Sequence, residues 1–181
     1  NNLHSTISID LLQKGQHVLC EKPMAITSEG CHLMIKASKE SKRILKIGHF
    51  LRYSSAAQFA KQILESGQLG KILYFTGSYG WEWSWRSKTG FYLDKSLVGG
   101  GVLMDSGCHI LDLILWLFGD CKRYNYNEIT GFHGPDELED EVQLELFLSN
   151  GFIDKPDSPH AITLLIPMAI EISKGLFRSD L

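Results

Sequence analysis

Residues 5–48 read STISIDLLQKGQHVLCEKPMAITSEGCHLMIKASKESKRILKIG, and their rhythm decides the fold. Ile7, Ile9, Leu11 and Leu12 give an apolar side to a helix over residues 5–14, with Gly15 as its stop. Residues 17–20 form a short apolar run that ends at Glu21-Lys22-Pro23. This predicts a buried strand and then an extended turn, because a proline drives the residue before it out of helical geometry. Thr27 or Ser28 can cap a second helix, whose apolar side is Leu33, Ile35 and Ala37 and which runs to about Ser41. Residues 44–48 form a second short strand, and Ser54 or Ser55 opens a third helix that Gly67 stops. Helix, strand, helix and strand with tight connections argue an α/β layer built on a parallel sheet.

Beyond residue 70 the pattern changes. Residues 71–83 are aromatic and β-branched and read as a strand, and residues 84–95 read as a loop. Gly99-Gly100-Gly101 leads into an apolar helix over residues 102–118, stopped by Gly119. Residues 122–130 and 141–148 read as two more strands. Pro156 and Pro159 mark a linker before a closing helix over residues 161–176, kinked at Pro167 or starting there. Three strands against one long helix predict a second, α+β layer. The expected division is 1–50, 51–155 and a closing helix in 156–181.

Composition narrows the function. The chain has 181 residues, of which 44% are hydrophobic and 22% charged, enough apolar material for a core. A net charge of -3 offers no basic excess for a phosphate backbone, so no nucleic-acid partner is expected. No apolar run reaches the roughly 18 residues of a membrane span, the best being residues 162–170, and no membrane partner is expected. Cys20, Cys31, Cys108 and Cys121 form no C-x-x-C pair, which fits a reducing compartment and a cytoplasmic protein. The sequence opens on Asn1-Asn2 without a signal-peptide pattern and reads as processed or partial.

Two places carry chemistry. Lys22 stands just past a strand, where open α/β sheets bind ligands, and its ammonium can donate to a substrate hydroxyl. The adjoining proline favours a tight turn and a cis peptide. Taken alone, the tripeptide reads more simply as a surface lysine before a turn proline. Asp105-Ser106-Gly107-Cys108-His109 lies in the predicted long helix, where Asp105 and His109, four apart, share a face with Asp112 nearby. A histidine beside carboxylates suits proton transfer near neutral pH, with Asp105 orienting its ring. Alone, His109 reads more simply as a packed core histidine. Asp105, His109 and Asp112 are metal-ligand types, but one helix supplies the whole spacing and no metal is expected. Cys108 and His109 are adjacent and point apart, a poor geometry for an activated thiol. Trp81, Trp83, Trp85, Phe91 and Tyr92 could stack on a sugar or nicotinamide ring, or pack on a neighbour. His17, His32, His133 and His160 have no readable partners.

Together these segments resemble the glucose–fructose oxidoreductase / inositol dehydrogenase family of nicotinamide-dependent enzymes. The resemblance is carried by Asn2-Leu3-His4, by Gly15 through Ala25, and by the glycine run continuing to Asp112. It implies a Rossmann-type domain that binds NAD or NADP, followed by an α+β domain with an open, mostly antiparallel sheet that often forms the subunit interface. It further implies that Lys22 is the active-site lysine, His109 the proton-transferring histidine and Asp105 its acidic partner. By the same resemblance Asn2, His4, Glu21 and Lys22 line the nicotinamide end of the cofactor, with Trp85 and Arg86 near the site and Arg52 near the cofactor.

The sequence departs from the family pattern in two places. It has no Gly-x-Gly-x-x-Gly motif after an opening strand, so the phosphate cradle that precedes the Asn-x-His segment in the family is not here. After Asn150-Gly151 it passes quickly to the expected closing helix, where the family continues through more strands. The expectation is an NAD(P)-dependent dehydrogenase acting on a hydroxyl of a sugar, inositol or related polyol, homo-oligomeric through its C-terminal sheet. The alternative is a truncated, non-catalytic member acting as a regulatory or assembly subunit.

Overall fold

The computed structural model describes residues 1–70, 72, 75–80, 89–130, 138–148 and 162–167. Helix α1 (His4–Gln13) leads through Gly15, in the left-handed region at φ 82°, to strand β1 (Val18–Cys20). Helix α2 (Ser28–Ser41) returns the chain to strand β2 (Leu45–Ile47), which pairs parallel to β1 with Val18 opposite Leu45 and Cys20 opposite Ile47. Thr27 caps α2 by accepting the Gly30 amide at 3.1 Å. His17, which the sequence left without a partner, accepts the Ile44 amide on Nδ1 at 2.9 Å and closes the start of the strand pair. Leu12, Val18, Cys20, Ala25, Met34 and Ala37 form the core of this layer. One stripe of α1 remains outside it: Leu3, Ile7 and Leu11 are 58%, 52% and 37% exposed.

Past β2 the chain makes a 3-10 turn (Phe50–Tyr53) and enters α3 (Ser55–Glu65), capped by Ser54. The second layer holds β3 (Phe75–Ser78), α4 (Lys95–Val98), α5 (Cys108–Phe118), β4 (Cys121–Thr130), β5 (Glu139–Leu148) and β6 (Ile162–Pro167). The strands lie in the order β3-β6-β5-β4, parallel only between β3 and β6. This is the open, mostly antiparallel sheet expected. On β5, Val142, Leu144 and Leu146 point inward at the period of two and meet Val102, Ile114 and Phe118. Each such buried side chain contributes about 1.5–3 kcal/mol.

Four expectations change. The strand expected over residues 71–83 is observed at Phe75–Ser78; residues 71, 73, 74 and 81–88 lie outside the described set. The loop expected over 84–95 holds a short 3-10 turn (Phe91–Leu93) and the start of α4. The long helix over 102–118 is wound in two ways, as a π turn over Leu103–Gly107 and then as α5. The closing helix is replaced at Ile162–Pro167 by a strand between β3 and β5, where the β-branched Ile162, Thr163 and Ile166 favour extended backbone and Pro167 ends the run. The rest of 156–181 lies outside the described residues. The helical stretch Lys95–Phe118 also has the length and composition to cross a membrane, although polar residues interrupt its apolar sequence. Its Val98, Val102, Ile114 and Phe118 are buried within the protein.

Candidate active site

Two glycines permit close approaches beside the site, Gly99 between the two layers and Gly101 within the second. A β-carbon on Gly99, at φ 89°, would fall 2.7 Å from that of Ile26, four residues past Lys22. A β-carbon on Gly101 would fall 2.1 Å from the Glu139 carbonyl oxygen. Only glycine permits both approaches. The Glu139 carboxylate accepts the Gly101 amide at 2.8 Å and the Leu103 amide at 3.1 Å, placing negative charge on the free amides at the start of the helical stretch. Residues 103–107 then take the wider π winding, a geometry frequent at functional sites.

Lys22 reaches across from the turn after β1. Its Nζ donates to the Asp105 carbonyl oxygen and to Asp105 Oδ1, each at 2.8 Å. An ammonium has three N–H groups, so one remains for a ligand once Asp105 has taken two. The pair is part-buried, at 22% and 29% side-chain exposure, so it is only partly screened by solvent. The Lys22-Pro23 bond is cis. Asp105 was expected to orient His109. Its carboxylate instead bonds Lys22, and it acts on His109 through its charge, opposing the fall in the ring's pKa.

His109 is buried, 5% exposed, on the first turn of α5. Its Nδ1 is shielded from solvent and has no hydrogen-bond partner among the described residues. The rings of Phe50 and His49 meet it edge-on, with centroids at 4.9 and 5.8 Å. Burial lowers the His109 pKa below 6.5, reinforced by the Lys22 and His49 charges and opposed by Asp105 and Glu21. Lys22 and His109 therefore share one electrostatic neighbourhood. Burial also lowers the His49 pKa, with Asp112 opposing and Arg52 and Lys22 assisting. Burial pushes the Cys108 thiol up to about 11, which keeps it protonated and agrees with its poor geometry as a nucleophile. Among the described residues no three His, Cys, Asp or Glu side chains gather as a metal site.

The remaining expected residues divide. His4 Nδ1 lies 2.7 Å from the Pro23 carbonyl oxygen, and Glu21 Oε2 accepts the Lys22 amide at 3.2 Å, so both adjoin the lysine turn. Asn2 is tied by its amide to the Leu97 carbonyl at 3.1 Å. Arg52 is paired: its guanidinium grips both oxygens of Asp112, with Nε to Oδ2 at 2.5 Å. Trp81, Trp83, Trp85, Arg86, His133 and His160 lie outside the described residues. The sequence reading missed His49 and Tyr79. His49 sits just past β2 much as Glu21 and Lys22 sit past β1, a signal that was legible. Tyr79 follows β3 directly and interacts electrostatically with Lys22, Cys108 and Asp105. Burial raises its pKa.

Residues 1–49 match the model of an oxidoreductase family with an NAD-binding Rossmann fold, and residues 57–153 match that of the GFO/IDH/MocA C-terminal domain. The chain is 29% identical over 177 residues to levoglucosan dehydrogenase of Pseudarthrobacter phenanthrenivorans, a match covering 84% of this chain and 45% of that protein. It is 30% identical to D-glucoside 3-dehydrogenase of Escherichia coli over 126 residues, covering 66% of this chain and 34% of the relative. A solved structure of levoglucosan dehydrogenase in complex with NADH and levoglucosan superposes with a TM-score of 0.81 at 28% identity, covering 93% of this chain and 45% of that one. The chain thus spans less than half the length of these relatives.

Proposed function

The chain belongs to the GFO/IDH/MocA oxidoreductase family, and from that premise we propose that it carries the substrate-facing chemistry of an NAD(P)-dependent dehydrogenase acting on a hydroxyl of a sugar, inositol or related polyol. The observation that carries the reading is Lys22 held by Asp105 beside His109, with one ammonium N–H left over. Relatives named for levoglucosan, D-glucosides and inositol support the substrate class.

The residues present fit the nicotinamide end of the cofactor. Lys22 keeps one N–H that Asp105 does not take, and the buried His109 Nδ1 has no partner among the described residues. His4 and Glu21 adjoin the lysine turn as a polar rim, and Asn2 stands at the start of α1. Among the described residues no Gly-x-Gly-x-x-Gly loop holds the phosphates. When bound, the nicotinamide supplies the hydride acceptor for alcohol oxidation. Lys22 donates its free N–H to the substrate oxygen and polarises it. His109, kept neutral by burial, takes the hydroxyl proton on its imidazole as the carbon loses hydride, and returns it in the reverse direction. Asp105 fixes the lysine by two contacts, so the donor is oriented before substrate arrives.

The division near residues 48–53 remains the proposed joint between cofactor and substrate layers, where the 3-10 turn stands. Homo-oligomerisation through the sheet is supported by Tyr124 and Tyr126, 67% and 42% exposed on β4, beside an apolar groove of about 400 Å³. Four free thiols support a reducing, cytoplasmic setting.

Fluorescence titration of the chain with NADH and NADPH, followed by turnover on sugars and inositols, tests the reading. Saturable binding with turnover is expected. Silence at millimolar cofactor overturns it for this chain and favours the non-catalytic alternative.

A further inference from the structure

Arg52 and Asp112 join the turn after β2 to α5 by a forked ion pair. Arg52 Nε donates to Oδ2 at 2.5 Å and Nη2 donates to Oδ1. The Asp112 side chain is only 13% exposed, and its hydrogen bonds hold the Arg52 guanidinium pKa up. Asp112 lies three residues beyond His109, one helical turn along the same face. Arg52 lies two residues beyond Phe50 and three beyond His49, on the turn whose two rings meet His109. Gln58 Nε2 grips the Arg52 carbonyl at 2.6 Å from the other side, so the turn is held at both its side chain and its backbone.

Phe50 is 63% exposed, so burial alone does not hold its ring on His109. The ion pair supplies that restraint, because a bidentate guanidinium–carboxylate contact fixes direction as well as distance. We infer that Arg52 and Asp112 are positioning residues that clamp His49 and Phe50 onto the His109 imidazole and keep water from it. Arg52 then acts through His109, and it is not a contact to the cofactor. This rests on the proposed role of His109 in proton transfer.

The test follows the His109 ring by NMR in the full chain without cofactor, and separately measures the NADH dissociation constant. The charged and titratable groups acting on His109 are Lys22, His49, Asp105 and Glu21; the variants replace none of them, and the clamp predicts that His49 loosens with Phe50. In Arg52→Met and Asp112→Asn the His109 titration midpoint should rise toward the ordinary histidine value by about half a pH unit or more, as water regains the ring. Cross-peaks between Phe50 and His109 should vanish, and NADH affinity should stay within about twofold. Arg52→Lys keeps the charge but loses the fork, and should shift the midpoint by less. Phe50→Ala leaves the ion pair intact and should move His109 in the same direction, so it decides the matter where the ion-pair variants do not fold. An unmoved midpoint with cross-peaks intact overturns the clamp. So does a tenfold loss of NADH affinity in Arg52→Met that Asp112→Asn does not share. If the unaltered chain binds no NADH, the proposed function fails while the NMR titration still judges the clamp.

Discussion

Lys22 commits two of its three N–H groups to Asp105, and its proposed role rests on the third. Lys22→Ala should therefore lower turnover by about 10²-fold or more while the NADH dissociation constant changes little, as steady-state kinetics beside a binding titration will show. Near-normal turnover removes Lys22 from the mechanism. His109 and His49 both have pKa values lowered from 6.5 by burial. Below pH 6.5 the unfolded chain takes up protons that the folded chain refuses, so stability is full above that value and declines as pH falls. Urea midpoints should drop between pH 7 and 5.5, and less so in His109→Phe. At this scale neither residue stood out by itself, since alone Lys22 reads as a surface lysine and His109 as a packed histidine; only the combination of the two segments singled them out. The hydrogen-bond partner of Asp105 was not legible, because Lys22 lies 83 residues away and no local spacing links the two.

At the scale of elements, the junction of α5 with β5 depends on what glycine lacks. Gly101→Ala sets a methyl group against the Glu139 backbone and should cost at least about 3 kcal/mol in thermal or chemical unfolding. Glu139→Gln removes the charge from two amide contacts and should cost about 1 kcal/mol. Thr27→Ala, at the start of α2, should cost a similar amount, about 1 kcal/mol. The first three helices and two strands were readable because caps, stops and periodicity agree there. Ile162–Pro167 was misread as helix because an unbroken apolar run has no period to separate the two structures. Glu139 was invisible in sequence, since nothing local links it to amides 36 and 38 residues away.

Across the whole molecule, the two layers differ in how well they are enclosed. The parallel pair β1–β2 has α1 and α2 beside it, yet Leu19 on β1 is 78% exposed and the α1 stripe of Leu3, Ile7 and Leu11 faces outward. Parallel sheets are ordinarily covered on both faces. The chain on its own should therefore bind a hydrophobic dye and self-associate at micromolar concentration, and Ile7→Lys should reduce both in light-scattering and dye-fluorescence measurements. The alternation of elements made the architecture readable. The meeting of Lys22 with the start of α5 rests on side-chain reach across 83 residues, which no local pattern encodes.

That meeting has a consequence for how the protein can be silenced. Beyond its proposed chemistry the lysine nitrogen is a rivet, since it stitches the turn after β1 to the middle of the π turn. Acetylating it would mute the chemistry and slacken the seam in one stroke. A mutation that erases the amine yields a looser molecule, never an equally firm but inert copy.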